Sequence, residues 1–154
     1  MKKVDKPFDL VVTTNSGYPL DMNLYQTVKG MSAASQIVRP GGGIICASEC
    51  SDGIPDHGLY KELLSSKNSP KDLLNLIESP GHDRHDQWQV QIQAQIQIKS
   101  DVYLKSDNLT PDQIRAAHLM PIDNISEAVL ELSENKGNSI CVLPEGPQTI
   151  PYLV

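Results

Sequence analysis

The chain has 154 residues, 39% hydrophobic and 5% aromatic, enough for one domain around one core. With 13 Lys+Arg against 19 Asp+Glu its net charge is −6, which excludes the basic face that non-specific nucleic-acid binding needs. No apolar run reaches a membrane span, Met1-Lys2-Lys3-Val4-Asp5 begins no signal peptide, and Cys46, Cys50 and Cys141 form no disulfide framework; this composition suits a cytoplasmic α/β protein.

Phe8-Asp9-Leu10-Val11-Val12-Thr13-Thr14 is short, β-branched and nearly continuous, the pattern of a strand covered on both faces in a parallel sheet. After the turn cluster Asn15-Ser16-Gly17-Tyr18-Pro19, Asp21 is placed to cap a helix over 22–38. Leu24, Val28, Met31 and Ser35 lie along one face of that helix. Pro40-Gly41-Gly42-Gly43 stops it and leads into a second buried strand, 44–48. This strand–helix–strand unit is expected to cross over right-handedly. The polar loop 49–58 and a helix around 59–65 follow. Ser69-Pro70 then opens another helix with Leu73, Leu74 and Ile77 inward, which ends at Ser79-Pro80-Gly81.

Residues 87–98 divide the signals. From Trp88 to Ile98 apolar and polar residues alternate strictly, as in a half-exposed strand, yet the run is long for one. Lys99-Ser100-Asp101 also lacks the glycine of a tight hairpin. As a helix, Trp88, Ile92 and Ile96 form one stripe and Val90, Ala94 and Ile98 a nearly opposite one. Glutamine and alanine favour helix, and His85 or Asp86 can start it. The expectation is therefore a helix buried on two sides.

Val102-Tyr103-Leu104 reads as a third strand. Thr110-Pro111-Asp112-Gln113 is a capping box with proline at the first helical position, opening a short helix to about 117. Asn124-Ile125-Ser126-Glu127 is a similar box whose helix buries Ile125, Val129 and Leu132 and ends at Gly137. Ser139-Ile140-Cys141-Val142-Leu143 is a fourth strand, closed by Pro144-Glu145-Gly146-Pro147, and the tail 150–154 packs as a strap or short helix. The expected fold is α/β: a three-layer, Rossmann-like domain over 1–154 with a mainly parallel sheet of about four strands flanked by helices.

Such a sheet binds ligands at its carboxyl edge, in the loops 15–20, 49–58, 105–110 and 144–147. The first loop feeds a helix in which Tyr25, Gln26 and Lys29 project near one another. A phenol, a carboxamide and an ammonium near a helix N-terminus suit a small carboxylate, unless Tyr25 packs in the core and the other two are solvated. There is no G-x-G-x-x-G, and the glycine triplet precedes a strand, so a phosphate cradle is absent. His82 and His85 stand three apart among carboxylates, but at a loop-to-helix junction that suits capping better than a metal. His57 and His118 read as structural. Cys50 follows a strand and could face a pocket, whereas Cys46 and Cys141 read as small core residues.

Several strings together resemble the C-terminal domain of the nickel-dependent lactate racemase family. They are Thr13-Thr14-Asn15-Ser16-Gly17-Tyr18-Pro19-Leu20-Asp21, Asn23-Leu24-Tyr25-Gln26-Thr27-Val28-Lys29-Gly30, Ala47-Ser48-Glu49-Cys50-Ser51-Asp52-Gly53, His85-Asp86-Gln87-Trp88-Gln89 and Asp101-Val102-Tyr103-Leu104. The resemblance implies an isomerase in which a nickel-pincer nucleotide takes hydride from a small 2-hydroxy acid and returns it to either face of the keto acid. It implies that Tyr25, Gln26, Lys29 and Trp88 contact substrate or cofactor from the C-terminal side. It also implies that the cofactor tether, the nickel-ligating histidine and the catalytic histidine pair belong to an N-terminal domain absent from this chain. The chain alone is then expected to bind no cofactor and to be inactive until joined to that partner domain, with self-association through the exposed partner surface. The competing expectation is a non-catalytic binding or assembly module with a small-carboxylate pocket.

Overall fold

A computed structural model describes residues 1–154. Its elements run β1 (Lys2–Val4), β2 (Phe8–Thr14), α1 (Leu24–Ser35), β3 (Val38–Ala47), α2 (Tyr60–Ser65), α3 (Pro70–Ile77) and α4 (Gln87–Lys99), then β4 (Asp101–Lys105), α5 (Pro111–Ala116), β5 (Met120–Pro121), α6 (Ile125–Lys136), β6 (Ile140–Leu143), a 3-10 turn (Gly146–Gln148) and β7 (Pro151–Leu153). Five strands form a parallel sheet in the order β5-β4-β3-β2-β6, one more than expected because two-residue β5 carries no periodic signal. β1 and β7 form a separate parallel pair, so the tail is a strand and not a strap or helix.

Alternation along the central strands sorts side chains between two faces. Val11, Ile44, Cys46, Val102 and Leu104 point into the larger core, under α1 to α4. Leu10 and Ile45 point the other way, onto Ala128 and Leu132 of α6. The three-layer α/β architecture is thus the expected one, with the heavier helical layer on the side of α1 and α4.

Three local expectations need correction. Asn23, not Asp21, caps α1, its side chain accepting from the Gln26 N–H at 3.0 Å. Asp21 is instead buried, and its carboxylate accepts from the Glu49 N–H at 3.2 Å, joining the loops after β2 and β3. The helix ends at Ser35, and Pro40-Gly41-Gly42-Gly43 lies inside β3, where the β2–β3 register shifts between Phe8 and Leu10. A Cβ on Gly42 would sit 2.7 Å from the Asp9 carbonyl oxygen, so the glycine there serves close strand approach and not a helix stop. The Thr110 capping box is present in full, whereas at Asn124 the cap accepts from the Glu127 N–H at 3.1 Å but the Glu127 side chain makes no return bond to the Asn124 backbone.

Residues 87–99 are helical, but the two-sided apolar burial does not occur. At 100° per residue a strict alternation spreads apolar groups around the whole helix, so whichever face turns inward must carry glutamines. Gln89 and Gln93 are buried, while Trp88 and Ile98 are about half exposed. Each inward amide finds a partner. Gln89 donates to the Tyr25 carbonyl at 2.5 Å, and Gln93 donates to the Ala117 carbonyl at 3.0 Å while accepting from the Tyr60 hydroxyl at 2.5 Å. Gln97 donates to the Ala117 and His118 carbonyls at 3.0 and 2.8 Å. Gln97 Oε1 alone among these amide groups is buried without a partner, and the bonds that do form fix the register of α4 as oily residues would not.

Candidate active site

The helix carrying Tyr25, Gln26 and Lys29 is pressed against the end of β2 by a missing side chain. Gly30 is buried, and a Cβ there would lie 2.5 Å from the Thr14 carbonyl oxygen. The Gly30 N–H is met by the Asn15 side-chain oxygen at 3.0 Å, and Asn15 also donates to the Leu20 carbonyl. Deeper in, Thr27 Oγ1 lies 2.6 Å from Ser48 Oγ, which ties α1 to the loop after β3. Cys50 completes this knot, its sulfur 3.4 Å from Ser48 Oγ and the residue fully buried, so it does not face a pocket. Cys46 is equally buried, and burial pushes its thiol far above the ordinary range. Neither is placed as a nucleophile.

On the outer side of α1 the four expected site residues form a strip. Lys29 Nζ donates to Gln26 Oε1 at 2.6 Å. The rings of Tyr25 and Trp88 meet edge to face, centroids 5.8 Å apart, and Tyr25 meets Tyr60 similarly at 5.2 Å. Lys29 and Trp88 line a groove of about 250 Å³ floored by Val28, Ala33 and Ile92. Tyr25 and Gln26 line an adjoining cavity of about 270 Å³ with His57, His85 and Asp86. Burial, and then the Asp86 charge, raise the Tyr25 phenol above its ordinary value of 10.0. Tyr25 is thus neither a plain core residue nor a solvated one: its ring is stacked and its hydroxyl edges a cavity.

The carboxyl edge of the sheet holds a different, larger cleft of about 670 Å³. All four loops named from the sequence reach it, through Ser16, Glu49, Ser106 and Glu145 among others, but none of Tyr25, Gln26, Lys29 and Trp88 does. The sheet-edge rule therefore finds the loops and misses the strip, which lies one helix to the side.

His57, read from the sequence as structural, and Asp86, read as a helix start, stand beside Tyr25 on the cavity of about 270 Å³. The available signal was Gly58, at φ +87, where a Cβ would sit 2.2 Å from an Asp86 carboxylate oxygen. His118 Nε2 lies 3.0 Å from the Leu64 carbonyl, a structural contact. No three His, Cys, Asp or Glu side chains gather closely enough to hold a metal ion, those around His82 and His85 included.

The family model for the lactate racemase C-terminal domain matches residues 3–150. Lactate racemase of Thermoanaerobacterium thermosaccharolyticum is 40% identical over 149 residues, covering 94% of this chain and 35% of its own. That of Lactiplantibacillus plantarum is 36% identical over 142 residues, covering 90% and 33%. The lactate racemase apoprotein structure from T. thermosaccharolyticum superposes with a TM-score of 0.87 at 36% identity, over 96% of this chain and 36% of that one. A Thermotoga maritima protein, at a TM-score of 0.65 and 15% identity, shares the fold alone. The chain spans about a third of the length of the lactate racemases it matches. With matching fold, order of motifs and near-complete coverage, the chain belongs to the lactate racemase C-terminal domain family.

Proposed function

We propose that residues 1–154 form the C-terminal domain of a two-domain racemase or epimerase of small 2-hydroxy acids, with lactate the first substrate to test, and that Tyr25, Gln26, Lys29 and Trp88 are its substrate wall. The observation that carries this reading is the strip itself: an ammonium held by a carboxamide at 2.6 Å, beside two edge-packed aromatic rings. A 2-hydroxy carboxylate needs a cation for its charge, a hydrogen-bonding amide for its oxygens and an apolar wall for its alkyl end. Lys29 is exposed while its Gln26 partner is half-buried, so the ammonium is oriented and still reachable. A carboxylate that displaces water there makes a charge-assisted bond, worth about 1.5–3 kcal/mol.

No three metal-ligating side chains cluster in this chain, and the nickel-pincer nucleotide is what the family implies for the complete enzyme. Its tether, its nickel ligand and the acid–base histidines are assigned to an N-terminal domain outside these residues. This chain's part is to bind and orient the acid and to exclude water from one side of the cleft. No helix is long and apolar enough to cross a membrane.

The reading is tested by mixing the chain with a cofactor-loaded N-terminal domain from a matching racemase and following D- and L-lactate by chiral chromatography. Racemisation by the mixture, and by neither half alone, is the expected result. A mixture that forms a complex yet racemises no 2-hydroxy acid contradicts it.

A further inference from the structure

Asp86 breaks three local rules at once. An aspartate immediately before a helix ordinarily caps it by accepting from a first-turn N–H, but the Asp86 side chain makes no such bond to α4. Its backbone lies at φ +67, in the left-handed region that non-glycine residues avoid. Its carboxylate is nearly buried, and the neighbouring loop gives up a side chain, at Gly58, to let it in. Local rules broken together in this way mark a residue retained for a site and not for its own helix.

The carboxylate turns away from α4 and toward the loop before α2, on the wall of the cavity it shares with Tyr25. One oxygen accepts from the Leu59 N–H at 3.2 Å and lies 3.0 Å from His85 Nδ1. The same side chain lines the 270 Å³ cavity with the Tyr25 phenol. Two residues on, Trp88 packs edge to face on the Tyr25 ring, and Gln89 donates to the Tyr25 carbonyl. Trp88 and Gln89 thus hold Tyr25 by ring and backbone, while Asp86 stands with it on the same cavity.

We propose that Asp86 is a positioning residue for Tyr25, fixing the phenol at the rim of the substrate strip. This rests on the reading of Tyr25 as a substrate contact. The titratable groups packed near the phenol are Asp86 and His85 ahead of α4, His57 on the loop before α2, Tyr60 on α2 and Lys29 on its own helix. Only Asp86 brings a negative charge there, so it is the group that opposes ionisation of the phenol electrostatically, in addition to burial.

The test is a tyrosine titration of the 154-residue chain labelled with carbon-13 at the phenol carbon, the Tyr25 resonance being assigned with Tyr25→Phe. The wild-type Tyr25 phenol is expected to titrate above its ordinary 10.0. Asp86→Asn keeps the size, tolerates positive φ and removes the charge, and it is expected to lower the Tyr25 midpoint while Tyr60 stays high. Asp86→Gly, which relieves the backbone, is expected to lower it as well and serves if the asparagine variant fails to fold. A folded variant of either kind with an unmoved Tyr25 midpoint overturns the proposal. The titration needs no substrate, so its failure leaves the racemase reading standing, and failure of racemisation leaves the titration result standing.

Discussion

Replacing Gln93 by leucine tests whether the glutamines of α4 are structural members of the core. Gln93 and Tyr60 are both fully buried, and the Tyr60 hydroxyl donates to Gln93 Oε1 at 2.5 Å. Leucine fills nearly the same volume, so no cavity term arises, but the hydroxyl is left without an acceptor. The Ala117 carbonyl is not orphaned, since Gln97 still donates to it at 3.0 Å. The loss is therefore one unsatisfied buried donor, about 1–3 kcal/mol. For a chain of this size that lowers Tm by about 3–10 °C. Tyr60→Phe alone leaves the glutamine oxygen unpaired and is expected to be destabilising too, whereas the double variant removes both partners and recovers most of the loss. The assay is thermal and urea unfolding of the four proteins by circular dichroism, with the coupling energy taken from the cycle. Gln93→Leu as stable as the wild type, or a double variant equal to the sum of the singles, would refute the reasoning.

Gly30→Ala places a Cβ 2.5 Å from the backbone oxygen of Thr14, which cannot swing aside, and is expected to destabilise by about 1–3 kcal/mol in thermal melts. The Asp9 carboxyl is held below its ordinary value of 3.8 by the Arg39 side chain, 2.5 Å away, and then by the Ser139 N–H. A carboxyl with a lowered folded pKa stabilises the fold above its unfolded value and loses that contribution as pH falls through the folded value. Arg39→Gln is therefore expected to weaken the fold at neutral pH and to flatten the loss of stability below pH 3.8, as read by acid titration of the circular dichroism signal.

The parts of the fold legible in the sequence were those with a local physical signature. β2, the strand over 101–105 and the capped helices announce themselves by β-branched runs, cap residues and first-turn prolines. β3 was read short because Pro40 and three glycines look like a stop, and only the neighbouring strand shows that the space there admits no side chain. β5, β1 and β7 are two or three residues long and owe their existence to partners distant in the chain. Alternation in α4 pointed to a strand, and helix was expected against it from length and composition; neither signal spoke of the inward glutamines, whose acceptors lie on Tyr25, Ala117 and His118.

The site was legible in a different way. Helical spacing alone could bring Tyr25, Gln26 and Lys29 near one another, and of these Gln26 and Lys29 bond to each other. Trp88 joins Tyr25 only through the packing of α4 on α1, a contact between residues 63 positions apart that family resemblance, not periodicity, pointed to. Asp86 does stand at the helix start, as read, but its side chain makes no cap bond there, which only its backbone and bonding show.

The most direct measurement is kcat/KM for lactate racemisation by the chain joined to its cofactor-loaded N-terminal domain, compared with the Lys29→Ala variant. Lys29 is exposed, so the variant should keep its melting temperature within a degree or two, about 0.5 kcal/mol or less. Removal of a charge-assisted carboxylate contact of about 1.5–3 kcal/mol predicts a fall in kcat/KM of roughly 10- to 150-fold. A folded Lys29→Ala variant that racemises lactate and every other 2-hydroxy acid at the wild-type rate would contradict the assignment of this strip as the substrate wall.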